Sequence, residues 1–207
     1  MELNNYNDLS DTHLDVLREI GNIGSGNAAS ALATMLNHPV DIAVPRVRIL
    51  DYEEVTQNLG GPEQLLVGLM LSMEGDVSGM IMFLLNREFA HMVLNTLMGT
   101  SLEEDGLLDE MGSSAIEEVG NIMAASYINA MSSLTGLNIN ISVPDLCVDM
   151  AGSILSVPAI YYANISDKII FIEDEFSSTA EQAGSHILLI PEVDSLKKIM
   201  MSLGLEL

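Results

Sequence analysis

The sequence predicts an α+β protein, internally duplicated, with long helices packed on a mostly antiparallel β-sheet in a pseudo-two-fold arrangement. Three observations predict it. A helix-length segment recurs after 99 residues, taking Glu19 to Glu118 and Asn22 to Asn121. Each copy is followed by short apolar, strand-like runs with turn residues between them, the signature of hairpins rather than of a parallel sheet. The composition suits a large aliphatic core, with 48% apolar residues, 14 Met, no Trp and only 4% aromatics over 207 residues. Met fills irregular gaps in such cores.

The first element is a helix that starts through the polar Ser10, Asp11 and Thr12. At about 100° per residue, Leu14, Leu17, Gly21, Gly24, Ala28, Leu32 and Met35 gather on one side, the core face. The glycines in that face allow another helix or a sheet to approach closely. Asp15, Glu19 and Asn22 fall on the opposite side, with Gly26 and Ala29 beside them. The stretch REIGNIGSGNAASA, residues 18–31, is therefore read as helix and not as a phosphate loop. Its glycines are spaced G-x-x-G-x-G, no strand precedes them and no Lys follows.

A strand (PRVRIL, 45–50), a short helix and a hairpin come next. The hairpin strands are read at roughly 66–74 and 78–85, turning at Glu74-Gly75-Asp76, and a further helix ends at Gly99. The second half repeats this order. SSAIEEVGNIMAASYINA, 113–130, repeats the long helix, with Gly21 matched by Gly120, Leu17 by Ile116, Ala28 by Tyr127 and Leu32 by Met131. Pro45 is matched by Pro144, each preceded by Val and opening a strand (PDLCVD in the second copy). MFLLN-REFAHMVLNTLMG aligns with ILLIP-EVDSLKKIMMSLG, so the last helix ends at Gly204. The second hairpin has two readings, 160–165 with 169–173 or 169–173 with 186–190. The chain is thus read as one domain, 1–207, of two repeats at about 10–100 and 109–205.

Shared packing explains why core positions recur. It does not explain why an exposed Glu and an exposed Asn recur at the same two outward positions. Glu19, Asn22, Glu118 and Asn121 are therefore the candidate site, with Asp15, Ser114, Pro45 and Pro144 in support. Other chemistries are poorly served. The four His (13, 38, 91, 186) are scattered and no EF-hand spacing appears. Ser25, Ser114 and Ser126 lack a His/Asp pattern and no G-x-S-x-G elbow exists. EEDGLLDE, 103–110, is read as a solvated loop leading into a helix, and the lone Cys147 as a core residue. The formal charge of −23 repels nucleic acid and anionic lipid, and favours a partner with a basic patch. The longest apolar run, Met80–Leu85, is too short to span a bilayer and no signal peptide opens the chain, so a cytoplasmic location is expected.

The pattern D/S-x3-E-x2-N-x22-P stands twice, as Asp15, Glu19, Asn22, Pro45 and as Ser114, Glu118, Asn121, Pro144. It resembles the signature of the CheC/CheX/FliY family of chemotaxis phosphatases, over roughly residues 10–205. Within that family the chain resembles the CheC type. CheX-type members carry one intact motif, and FliY-type members add a flagellar-switch domain for which this chain is too short. The resemblance implies hydrolysis of the aspartyl phosphate on the response regulator CheY. Asn22 and Asn121 would orient the water, Glu19 and Glu118 would pair with a Lys of the regulator, and Mg2+ would sit on the regulator, with no cofactor on this chain. It also implies a second partner, the receptor deamidase CheD. For CheD the segment DMAGSILSVPAIYY offers a surface, with Asp149 as a helix cap and Ile154 and Leu155 exposed, where the first half has the polar DYEEVTQNLGG. Two alternatives remain at this stage: a non-catalytic adaptor that sequesters CheD and senses phosphorylated CheY, and a flagellar-switch component.

Overall fold

A computed structural model describes residues 5–99, 108–161, 168–178 and 181–205, with backbone alone for Ile42, 175–178 and 181–183. Each half runs long helix, two strands, short helix, two strands, helix. The first half is α1 (Asp11–Leu36), β1 (Asp41–Ile42), β2 (Arg46–Asp51), α2 (Tyr52–Asn58), β3 (Leu65–Gly75), β4 (Gly79–Leu85) and α3 (Arg87–Met98). The second is α4 (Glu110–Thr135), β5 (Ile139–Ile141), β6 (Asp145–Met150), α5 (Ala151–Tyr161), β7 (Lys168–Ser178), β8 (Glu181–Pro191) and α6 (Val193–Ser202).

α1 begins where expected, because Ser10 accepts from the His13 N–H and His13 Nδ1 accepts from the Ser10 N–H, a reciprocal cap. It runs unbroken through its three glycines. Asp109 caps α4 by accepting from the Gly112 N–H at 2.7 Å, so the end of the acidic stretch is a helix start, while 103–107 lie outside the described residues. α3 stops at Gly99, whose φ of 69° is left-handed and suits a residue without Cβ.

All described strand pairings are antiparallel. They join β3 to β4, β4 to β8 and β8 to β7 in one eight-stranded sheet. The second hairpin is β7 with β8, which pairs Ile170 with Leu189 and settles the two readings. The outer strands cross between halves. β2 of the first half pairs with β7 of the second, and β6 of the second pairs with β3 of the first.

Both faces of the sheet are covered. Val67, Leu69, Leu71 and Phe83 point into a core shared with α1, α3, α4 and α6. Leu66, Met80, Met82, Leu84 and Phe171 point into a second, smaller core with α2 and α5. The run MIMFLL is apolar at every position because β4 is buried on both sides.

The small residues of α1 and α4 allow close packing, as their spacing predicted. A Cβ on Gly24 would lie 2.7 Å from a Tyr127 ring carbon, and one on Gly120 would lie 2.6 Å from a Leu69 methyl. A Cβ on Gly26 would meet nothing within 4 Å. Gly24→Ala is therefore expected to destabilise by about 1–3 kcal/mol through overpacking. Gly26→Ala is expected to stabilise by up to about 1 kcal/mol through helix propensity. Urea denaturation of the two variants measures the contrast.

Candidate functional site

The two motif copies occupy equivalent places on α1 and α4. Glu19, Asn22, Glu118 and Asn121 are all exposed, while their neighbours Gly21 and Gly120 are buried beneath them. Among the described residues, none of the four side chains is engaged in a hydrogen bond or ion pair. Glu and Asn stand at i and i+3, one above the other on the same helix surface. Gly26 is exposed close by, but Ala29, expected beside the pair, is buried. It belongs to the core because α1 is covered on a wider arc than a single stripe.

Pro45 has a visible structural part. A Cβ on Gly21 would meet its ring at 3.6 Å, so Pro45 packs on α1 one residue before Asn22. Pro144 is half-buried at the corresponding corner. The residues before these prolines, Val44 and Val143, are 80% and 82% exposed, and both are apolar. The sequence carried this signal as a recurring Val-Pro pair. Each acid–amide face is thus followed in the chain by an unburied valine that a partner can cover. Asp15 pairs with Arg18 on the exposed helix surface at 2.5 Å. Ser114 is exposed and has Glu117 where the first copy has Arg18, so that ion pair is not repeated.

Three side chains meet beneath α1 in a network that the sequence did not reveal. Ser25, Tyr127 and Asp174 are fully buried. Ser25 Oγ donates to Asp174 Oδ1 at 2.9 Å, the Tyr127 phenol donates to Asp174 Oδ2, and the two hydroxyls touch each other. An ionised carboxylate leaves two protons for these three contacts, whereas a protonated one supplies the third. Burial, only partly offset by the two hydroxyl donors, pushes Asp174 up to about 6. Burial and the nearby carboxylate push Tyr127 well above its ordinary value. With no solvent access, Ser25 is not an exposed nucleophile.

The second-half segment departs from expectation in three ways. Ile154 and Leu155 are each only 3% exposed, because α5 turns them down onto the sheet, where Ile154 covers the space left by Gly68. Its exposed apolar side chains are Val157, Ile160 and Tyr161, the last two at 76% and 75%. Asp149 does not cap α5. It lies in β6 and accepts from the Met150 N–H, while the first amides of α5 donate to the Pro62 and Gln64 carbonyls. Cys147 is exposed, not core, because β6 lies at the sheet margin. Its Sγ nevertheless turns toward Gly68, and burial, then Asp149, raises its pKa. Gly68, Met70, Met82, Cys147, Ile154 and Val157 line a groove beside α5.

Among the described residues no cluster of three or more His, Cys, Asp or Glu side chains is placed to hold a metal, and no helix is long and apolar enough to cross a membrane.

Fold and site together define an internally duplicated α+β protein that presents one acid–amide face on each of two related helices. The CheC-like family model matches residues 13–49 and 111–148, the two long helices with the strands that follow. The chain is 33% identical over 207 residues to the CheY-P phosphatase CheC of Bacillus subtilis, covering 98% of this chain and 99% of that one. It is 29% identical over 133 residues to a putative CheY-P phosphatase CheC1 of Halobacterium salinarum, covering 64% of this chain and 67% of that one. This chain belongs to the CheC-like family. In fold it is similar to Thermotoga maritima FliY, with a TM-score of 0.75 at 24% identity, over 95% of this chain and 98% of that chain.

Proposed function

We propose that this protein is a hydrolase that removes the aspartyl phosphate from phosphorylated CheY, using two equivalent sites. The observation that carries this is the recurrence of an exposed, unengaged Glu and Asn at matched positions of α1 and α4, in a chain whose full-length relative is a CheY-P phosphatase. Phosphoryl transfer asks for a positioned water and charge neutralisation, with little covalent chemistry from the protein. The side-chain amide of Asn22 or Asn121 accepts a hydrogen bond from a water and directs its oxygen at phosphorus. The water oxygen bonds to phosphorus as the bond to the regulator's aspartate oxygen breaks, leaving the aspartate carboxylate and an inorganic phosphate that carries the water's protons. Glu19 or Glu118 pairs with a regulator Lys and docks the helix, while Val44 or Val143 adds an apolar contact. Mg2+ belongs to the regulator in this scheme. The same reading places the protein in the cytoplasm with its substrate.

The α5 face is our assignment for CheD. Ile160 and Tyr161 stand exposed at the end of α5, Asp149 lies just before it, and the groove beside Val157 adjoins them. The polar α2 of the first half offers no such surface, so one CheD is expected per chain.

The test is the decay of phosphorylated CheY with this protein at catalytic concentration, alone and with CheD. Decay accelerated beyond one turnover per chain supports the hydrolase. Binding to phosphorylated CheY with no acceleration in either condition would move the adaptor reading ahead.

A further inference from the structure

The two faces are alike at the surface but are not held from beneath in the same way. Strand register identifies the counterparts. Arg46 pairs with Glu173, and Asp145, 99 residues after Arg46, pairs with Met70. Glu173 therefore corresponds to Met70, and Asp174 to Leu71. On the helices Ser25 corresponds to Ala124 and Tyr127 to Ala28. Every member of the buried polar network thus has a buried apolar counterpart in Leu71, Ala124 or Ala28.

An acid is not required to close the core at this place, since the other half closes it with hydrocarbon. What the acid adds is direction. Apolar contacts tolerate small rotations, whereas hydrogen bonds weaken steeply as their angles open. Ser25 lies one helical turn beyond Asn22 and is tied to both Tyr127 and Asp174. The adjoining Gly24 lets the Tyr127 ring lie directly on the α1 backbone. Together these contacts set the rotation and height of α1 at the point where its acid–amide face begins. α4 enters the same network through Tyr127, six residues beyond Asn121, and the position one turn beyond Asn121 is the apolar Ala124, so the tie falls next to the first face and away from the second.

We propose that Ser25, Tyr127 and Asp174 form a buried polar latch that positions Glu19 and Asn22, so that the first site depends on the core network and the second does not. These are positioning residues, acting through α1 rather than on substrate. The inference rests on the two-site phosphatase reading.

Asn121→Ala leaves only the first site working and Asn22→Ala only the second, and Asp174→Leu is placed in each. With phosphorylated CheY as substrate, Asp174→Leu is expected to lower turnover about tenfold at the first site, in line with the cost of a slightly misplaced orienting group, and to leave the second unchanged. An equal loss at both sites would mark the network as merely structural and overturn the proposal, as would no loss at either. Hydrogen exchange without CheY gives an arm independent of activity. Amides near Asn22 should exchange faster in the variant while those near Asn121 do not, and equal change overturns the latch. If the protein with both sites intact fails to accelerate decay, the phosphatase reading falls while the exchange arm still decides the latch. Ser25→Ala, which removes the direct tie on α1, replaces Asp174→Leu in both measurements should the latter not fold.

Discussion

Replacing Asn22 and Asn121 together by Ala is expected to lower turnover of phosphorylated CheY about a hundredfold or more while leaving its binding within reach of the parent protein. The effect is large because the amide does one thing that nothing nearby can replace. Gly21, Gly26 and Gly120 flank the two Asn with no polar side chain, and Glu19 and Glu118 stand one turn away as docking groups in this scheme. Binding survives because those carboxylates and the exposed Val44 and Val143 are untouched. Each single variant should keep one working site and lose part of the rate, so the three variants fall in steps. Single-turnover decay and equilibrium binding, measured on the same samples, separate the possibilities. Lost binding with intact turnover per complex would sink the water-orienting role, and full activity in the double variant would sink the site itself.

The second large effect is on stability. Tyr127→Ala is expected to cost about 3–5 kcal/mol, the range for removing a buried aromatic side chain. The ring fills the space that Gly24 leaves in α1 and stands edge-on to Phe83, with centroids 6.2 Å apart. Removing it opens a cavity between the two long helices and takes away one of the donors to the buried Asp174 carboxyl. In a chain of this length that corresponds to a drop in Tm on the order of 10 °C. Thermal and urea unfolding report it, and a loss below about 1 kcal/mol would mean that the neighbouring side chains collapse into the space.

Much of this was legible in the sequence because duplication supplies its own control. Gly21 and Gly120, Leu17 and Ile116, and the caps and stops of the two long helices repeat, and apart from the short β1 and β5 the elements fall in the expected order. Glu19 and Asn22 stood out because they repeat where packing asks for nothing. The crossed pairing of β2 with β7 was not legible, since alternation along a strand tells which face is buried but not which strand lies alongside. α5 misled for a related reason. A helix with apolar residues nearly all round shows no preferred face, so Ile154 and Leu155 read as exposed when they are the side that packs. The buried network escaped notice because Ser25, Tyr127 and Asp174 are 102 and 47 residues apart in sequence and come together only when the halves interlock.

That interlock has a consequence for how the chain is made. β2 hydrogen-bonds to β7, with Arg46 opposite Glu173, so it has no partner strand on that side until the ribosome has passed residue 173. At ordinary synthesis rates this leaves the first half waiting on the order of ten seconds, with an open sheet edge and a helix lacking its full bed. Closing so long a loop is entropically costly and slow compared with forming either long helix. The nascent first half is thus a client for whatever shields unpaired strands in the cell. A chain interrupted between the repeats would yield two pieces, each lacking the strand the other supplies, that regain the eight-stranded sheet only by finding one another.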